Sequence, residues 1–151
     1  MLALSKPQVR RVAPDDLTSV SELEELCFAD PYPSYFLRQL AEGNPYTFLV
    51  AEQNQRIIGY TVADKWRDHN HLVSIAVHPQ HRRNGVGQVL LDRLEETLES
   101  GLVKLELRKS NLVALQFYLR NEFQHTGMRP GYYSDGEDAI LMEKRIRKSS
   151  R

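Results

Sequence analysis

The sequence predicts an α/β (α+β) chain in which a mixed, twisted sheet of about seven strands carries helices on both faces. Three observations predict it. Two strand-like runs near residue 50 are joined by a two-residue turn, which marks an antiparallel hairpin. Around residue 90 an amphipathic helical stretch separates two more strand-like runs, the order of a parallel βαβ crossover. The remaining runs complete the order β-α-α-β-β-β-α-β-α-β-β.

Each element follows from its residues. Residues 8–12 (QVRRV) alternate and form a first strand. Asp15 or Asp16 caps the next helix, whose Leu17, Val20, Leu23, Leu26 and Cys27 keep helical spacing. Asp30-Pro31-Tyr32-Pro33 breaks it, and a second helix carries Phe36, Leu37 and Leu40 to Gly43. Residues 46–52 and 56–63 are hairpin strands around Asn54-Gln55, and residues 71–77 are a third apolar run. Residues 85–100 are a helix with Val86, Val89, Leu90, Leu94 and Leu98 as its buried stripe, stopped by Gly101. Residues 103–108 are a strand. Residues 111–121 are a short helix with Leu112, Leu115 and Leu119 on one side. Residues 123–128 and 139–142 are the last strands, with Gly131 to Gly136 as the turn between them. Residues 1–151 are expected to be one domain, with residues 144–151 (KRIRKSSR) as a solvated basic tail.

Composition narrows the function. The chain has 151 residues, 41% hydrophobic and 26% charged, enough for a packed core and too apolar for wholesale disorder. Lys plus Arg and Asp plus Glu are each 20, so a role in coating nucleic acid by charge starts weak. No apolar run approaches the ~20 residues that span a membrane, and residues 1–12 hold no secretion signal. The only cysteine, Cys27, lies on an apolar stripe and builds neither a disulfide nor a zinc site alone. A soluble, cytoplasmic chain is expected. His69, His78, His81 and His125 show no metal-ligand spacing, so no metal is expected.

The most informative stretch runs from Val77 to Leu91 (VHPQHRRNGVGQVLL). A strand gives way to a polar loop, and the helix that follows opens with Gly85 and Gly87. Helix N-termini bind anions through backbone N–H groups and the helix dipole. Glycine lets a phosphate approach the backbone, and Arg82 and Arg83 add positive charge. A pyrophosphate is the natural guest. A P-loop would need Gly-Lys-Ser/Thr where Gly87-Gln88-Val89 stands. A dinucleotide fingerprint would need a small residue where Leu90 stands, although Glu106 does lie about 20 residues further on. A coenzyme A site is the third reading. A plain strand-to-helix turn is the fourth.

Arg82-Arg83-Asn84-Gly85-Val86-Gly87 resembles the Arg/Gln-x-x-Gly-x-Gly/Ala loop of the GNAT acetyltransferase superfamily. So do the strand before it, Ser74-Ile75-Ala76-Val77, and the helix after it. The stretch from Leu105 to Asn111, with Ala114, Phe117-Tyr118 and Phe123, resembles RimI-type protein N-terminal acetyltransferases. Residues 131–139 (GYYSDGEDA) resemble their C-terminal hairpin, the archaeal members above all. The resemblance spans nearly the whole chain and is most specific in its second half. It implies a GNAT fold, acetyl-CoA as cosubstrate with no metal, and a protein or peptide N-terminus as acceptor, ribosomal proteins among the candidates. A monomer or weak dimer is expected, with neither nucleic acid nor membrane as partner. The rivals are a GNAT enzyme acting on a small amine and a non-catalytic CoA-sensing or protein-binding module.

The resemblance also assigns roles. In a strand, Lys104, Glu106 and Arg108 face away from Leu105 and Leu107. By residue type alone Glu106 reads as a surface carboxylate among basic neighbours; the resemblance makes it the general base. It makes Tyr118 the acid toward the CoA thiolate, where the bland reading is a core tyrosine. His71 is an auxiliary base candidate. Cofactor contacts are expected from Ile75, Ala76 and Val77, from Arg82, Arg83, Asn84, Gly85, Val86, Gly87 and Gln88, and from Asn111, Ala114 and Tyr118. Val77 would pair with pantetheine as an added strand does. Asn111 also fits a helix N-cap. Phe28, Tyr32, Tyr132 and Tyr133 are the substrate-binding candidates. Two departures stand out. Ala29-Asp30 occupies the place of an acidic-Asn pair, which bears on the preferred first residue. Glu122 occupies a helix-end glycine position, so Asn121 is expected to take the left-handed conformation instead.

Overall fold

The computed structural model describes residues 6–148. The start of the stretch read for a secretion signal, residues 1–5, and the end of the basic tail, residues 149–151, lie outside them. The elements are β1 (Gln8–Arg11), α1 (Leu17–Cys27), α2 (Ser34–Gly43), β2 (Phe48–Gln53), β3 (Arg56–Lys65), β4 (Asn70–Val77), α3 (Val86–Thr97), β5 (Gly101–Arg108), α4 (Leu112–Arg120), β6 (Gln124–Arg129) and β7 (Ala139–Ile146). Short 3-10 turns, Pro14–Asp16 and Pro79–His81, precede α1 and α3. The seven strands follow the order β1-β2-β3-β4-β5-β7-β6. The described pairings are antiparallel for β1–β2, β2–β3, β5–β7 and β6–β7, and parallel for β4–β5, so the sheet is mixed as expected. Among the described residues no helix is long and apolar enough to cross a membrane.

The chain divides into two compact units. The first takes residues up to Lys65 together with Leu72–Leu98. Its hairpin turns at Asn54 and Gln55, both at positive φ (52° and 64°), the pairing that suits a tight two-residue loop. Val20 and Leu23 of α1 and Leu37 and Leu40 of α2 pack on Phe48, Val50, Tyr60 and Val62. Successive residues of a strand face opposite ways, so Gly59 lies on the other face from Tyr60. There a Cβ on Gly59 would meet Leu90 Cδ1 and the Ala76 carbonyl at 3.0 Å. The missing side chain is what lets α3 seat its first two turns on β3.

The second unit takes Trp66–His71 and the chain from Glu99 onward. Along β5, Val103, Leu105 and Leu107 are buried, while Lys104, Glu106 and Arg108 are half-buried on the other face. β5 pairs with β7 over its whole length, Leu105 opposite Met142 and Arg108 opposite Ala139. β4 contributes its first two residues, Asn70 opposite Val103 and His71 opposite Lys104. α4 begins at Asn111, whose side chain accepts from the Ala114 N–H at 3.1 Å. β6 lies at the end of the strand order and carries a bulge between His125 and Gly127.

Several local expectations change. Asp16 does not cap α1 through its side chain. It accepts from the Ala13 N–H at 2.7 Å and pairs with Arg10, which holds its carboxyl below the usual range. Leu26 and Val89 are exposed and Leu91 is buried. The buried arc of α3 runs from Val86 through Leu90 and Leu94 to Leu91, and at 100° per residue Val89 falls outside it. Gly101 does not stop α3. The helix ends at Thr97, because Leu98 turns extended and buries itself, and Gly101 (φ 143°) opens β5. On α4, Leu112 and Leu119 are exposed and Tyr118 is the buried position.

Glu122, not Asn121, takes the left-handed conformation, at φ 70°. The Phe123 N–H donates to the Tyr118 carbonyl at 3.0 Å and the Glu122 N–H to Leu119 at 3.1 Å. This closes a Schellman motif, and the Phe123 ring packs 5.4 Å from that of Tyr118. Burial of Phe123 holds Glu122 in a conformation its own side chain disfavours. β7 runs to Ile146, so Lys144, Arg145 and Ile146 belong to the sheet and not to the tail. Arg145 pairs opposite Leu102 and Ile146 opposite Gly101.

Candidate active site

In the first unit, β4 ends at Val77 and α3 begins at Val86, with residues 82–85 exposed between them. Arg83 (φ 68°) and Gly85 (φ 80°) both stand in the left-handed region, and they turn the chain into the helix. The first turn of α3 points its N–H groups back toward this loop, as every helix start does. The Val86 side chain is buried and anchors the turn, while Asn84 and Gln88 are exposed. Gln88 also donates to Asp92 Oδ1 at 2.8 Å, one turn along the helix. Arg82 Nε donates to the Val77 carbonyl at 3.1 Å, and the Cys27 thiol meets the same oxygen at 3.4 Å. Burial raises the Cys27 thiol, so it stays a neutral donor. Ile75 is half-buried, and the Ala76 side chain belongs to the core. Cationic, glycine-turned and helix-headed, the loop suits a pyrophosphate.

A second feature of this unit was not expected. Glu24 of α1 is 2% exposed. Its Oε1 accepts from the Tyr60 hydroxyl at 2.5 Å, and its Oε2 accepts from the Tyr32 N–H at 2.9 Å. Burial raises the Glu24 carboxyl above its ordinary value, while the Tyr60 bond pulls it back down. The carboxyl thus pins residue 32 to α1. The Tyr32 ring packs on Phe36 at 4.9 Å. Phe28, at the end of α1, turns extended and packs against the core.

In the second unit a carboxylate sits among rings. Glu106 Oε1 lies 2.8 Å from His71 Nε2 and 3.4 Å from the Tyr132 hydroxyl. The Trp66 ring stacks on His71, centroids 4.6 Å apart at 16°. Tyr132 reaches Glu106 because its turn is tied to the end of β5. Arg108 donates to Asp135 and Glu137 at 2.8 and 2.9 Å, and lies 4.3 Å over the Tyr133 ring. Glu137 accepts from the Ser110 N–H at 2.7 Å, and Asp138 Oδ1 from the Gly131 N–H at 2.9 Å. These donors hold the Glu137 carboxyl low, first the Ser110 contact and then Arg108. Tyr118 is buried on α4; burial, then Tyr133, raises its hydroxyl well above the ordinary tyrosine value. Among the described residues no group of three or more His, Cys, Asp and Glu side chains has the geometry to hold a metal ion.

The sequence model described as "Acetyltransferase (GNAT) family" matches residues 17–123. The chain belongs to the GNAT acetyltransferase family. It is 36% identical to an uncharacterized N-acetyltransferase of Methanocaldococcus jannaschii, over 91% of this chain and 90% of that one. It is 31% identical to an N-alpha-acetyltransferase of Sulfurisphaera tokodaii, over 89% and 90%. The crystal structure of the ribosomal-protein-S18-alanine N-acetyltransferase from Escherichia coli superposes with a TM-score of 0.84 at 28% identity, covering 96% of this chain and 97% of that one. The seven-stranded mixed sheet is therefore a GNAT sheet.

Within this GNAT chain the expected residues separate cleanly. Glu106, His71 and Tyr132 are brought into direct contact, and Tyr133 packs edge-on against Tyr132 at 5.0 Å. Tyr118 shares the unit, where its ring packs edge-on against Phe117 and Phe123, each 5.4 Å away. Asn111 and Ala114 meet through the cap of α4. Sequence reasoning missed Glu24, Trp66, Asp68 and His69. Glu24 occupies a helical position on the Val20 face, and a charged residue there is the one signal that could have found it. His69 stands in the bend just before β4, two residues ahead of His71, and no local pattern marks it.

Proposed function

We propose that this protein transfers the acetyl group of acetyl-CoA to the α-amino group of a protein N-terminus, with Glu106 as the base. The Glu106 carboxylate, held through Oε1 by His71 and Tyr132, carries the reading. An α-amine has a pKa near ~8, so at neutral pH most of it is a cation and must lose a proton before it can attack. A fixed carboxylate accepts that proton directly or through one water. Bound acetyl-CoA supplies the acetyl group as a thioester, open to direct attack by the neutral amine.

The geometry of each part supports the other roles. Residues Arg82, Arg83, Asn84, Gly85, Val86, Gly87 and Gln88 hold the pyrophosphate with cationic side chains and helix-start N–H groups. Ile75, Ala76 and Val77 offer strand backbone to the pantetheine arm, and Asn111 and Ala114 are the cofactor contacts assigned to the start of α4. Because the Val77 carbonyl already accepts from Arg82 and Cys27, Arg82 would leave that oxygen as it engages phosphate. Burial keeps the Tyr118 hydroxyl protonated at neutral pH, the state that a donor to the departing sulfur needs. In the second unit Tyr132 and Tyr133, on a clamped turn, offer aromatic faces and hydroxyls to a peptide; in the first unit Phe28 and Tyr32, on the segment pinned by Glu24, are peptide-contact candidates in their own right.

A pair of peptides tests the reading. One carries a free α-amine; the other is identical with that amine blocked. Mass spectrometry should place the acetyl group on the α-nitrogen of the first and none on the second. Acetylation chiefly of internal lysines, or of small amines only, would overturn it.

A further inference from the structure

Polar contact does not stop at His71. His71 Nδ1 lies 3.1 Å from His69 Nε2, and His69 Nδ1 lies 2.7 Å from Asp68 Oδ1. The four side chains therefore form one hydrogen-bonded line, Glu106–His71–His69–Asp68. Its middle is closed and its far end open: the His71 and His69 side chains are 13% and 6% exposed, that of Asp68 is 75% exposed, and that of Glu106, at the other end, is 22% exposed. Trp66 roofs the middle, stacked on His71 and 4.9 Å from the His69 ring. The Trp66 N–H closes this turn by donating to the His69 carbonyl at 2.9 Å.

Counting hydrogens shows what the line can do. Each of its three links needs one hydrogen between two heavy atoms. With both carboxylates ionised, all three hydrogens must come from the two imidazoles. Two neutral rings carry only two. A fully bonded line thus holds one proton more than two neutral histidines, and one fewer breaks a link. It is built to take up a single proton at one end and release it at the other.

We propose that His71, His69 and Asp68 form a proton relay that empties Glu106 to solvent after each turnover. This rests on the reading of Glu106 as the base. An N–H bond of the substrate ammonium breaks and the proton goes to Glu106. With both rings neutral and protonated at Nδ1, Glu106 passes it to the bare His71 Nε2, while the Nδ1 proton of His71 moves to His69 Nε2. The Nδ1 proton of His69 leaves through Asp68 to water, so the ammonium loses one proton and the solvent gains one, and exchange with water returns both rings from the Nε2–H to the Nδ1–H form before the next turnover. The flanking charged and titratable groups are Lys104 of β5, which acts on Asp68, and Tyr132, which donates to Glu106. The His69 bond holds the Asp68 carboxyl below its usual range, and the contact with Glu106, after burial, raises the Tyr132 hydroxyl. Asp68 therefore stays an acceptor and Tyr132 a donor. His69 and Asp68 touch no substrate; they act through His71 and Glu106.

Initial rates against pH and buffer concentration, for wild type, His69→Ala, His69→Gln and Asp68→Asn, test this. His69→Gln retains a hydrogen bond to His71 but cannot pass a proton. Both His69 variants should lose roughly tenfold in kcat, well short of the loss of a whole general base. Their rates should rise with added imidazole at fixed pH, with KM for acetyl-CoA unchanged. Asp68→Asn should show a smaller loss of the same kind. A His69→Gln enzyme at the wild-type rate would overturn the relay, and so would slow variants indifferent to imidazole. A second readout needs no turnover: ring-nitrogen NMR of His69 should shift in Glu106→Gln, although the two residues are not in contact. If wild type acetylates no peptide N-terminus, the reading of Glu106 fails by itself. An unmoved His69 signal in Glu106→Gln overturns the relay alone.

Discussion

The Glu24 carboxylate and the Tyr60 hydroxyl meet at 2.5 Å in the middle of the α1–β3 packing. The same carboxylate takes the Tyr32 N–H, so one buried charge couples the sheet, a helix and the aromatic segment that follows it. A carboxyl held above its ordinary value binds more protons folded than unfolded. Stability therefore falls as pH rises from the ordinary carboxylate value toward the folded one. Glu24→Gln removes that loss and retains hydrogen-bonding capacity toward both partners. Urea denaturation across pH should show the difference between variant and wild type moving in the variant's favour as pH rises through that window. Parallel curves would contradict it. Tyr60→Phe leaves Glu24 Oε1 without its donor and should cost about 1–3 kcal/mol.

Glu106→Gln keeps the shape of the side chain and a hydrogen-bonding group facing His71, and removes the base. The rate at neutral pH should fall by ~10²–10⁴-fold, with acetyl-CoA affinity little changed. Raising the pH should recover part of the loss, because more of the amine is already neutral. If His71 shares the work, His71→Ala together with Glu106→Gln should lose more than either alone. Initial rates within twofold of wild type in every variant would remove both residues from the chemistry.

Gly85 has nothing within 4 Å of where a Cβ would stand, yet its φ is +80°. Space is available; the backbone conformation is not. Gly85→Val should shift the turn into α3, cost about 1–2 kcal/mol of stability and weaken CoA binding. Calorimetric titration with CoA measures the effect, with thermal melting to show that the variant is folded. Unchanged affinity would detach this loop from the pyrophosphate.

Glu122 stands at φ 70° in the Schellman turn after α4. Glu122→Gly should stabilise the protein by about 1 kcal/mol, because a left-handed conformation strains any residue with a Cβ. Chemical denaturation measures this. Activity should not move, since Glu122 is exposed and no role in the site is assigned to it.

Element order was legible because apolar periodicity and turn residues mark strands and helices locally. Asn54-Gln55 and the alternation along β5 both came out as expected. Which side of a helix is buried was less legible. Val89 and Leu112 are apolar and exposed, and the arc that packs is chosen by the facing element. Position 122 was misjudged for a related reason: propensity favours Asn121 in the left-handed region, but the burial of Phe123 decides. In the site, Glu106 and the glycine loop carry recognisable local patterns. The Asp68–His69–His71 line does not, because it depends on side chains from a turn and two strand ends meeting in space.

The bulge between His125 and Gly127 bears on the behaviour of the protein in concentrated solution. β6 ends the strand order, and the outer side of such a strand is a row of backbone donors and acceptors that can recruit another chain. An extra residue there breaks the spacing of that row and bends the strand. His125 Nε2 also lies 2.9 Å from the Gly127 carbonyl and occupies one of the acceptors. Gln124, His125, Thr126 and Arg129 add a polar, exposed surface. The interrupted strand is a poor template for edge-to-edge aggregation, and the bulge itself protects this side of the sheet.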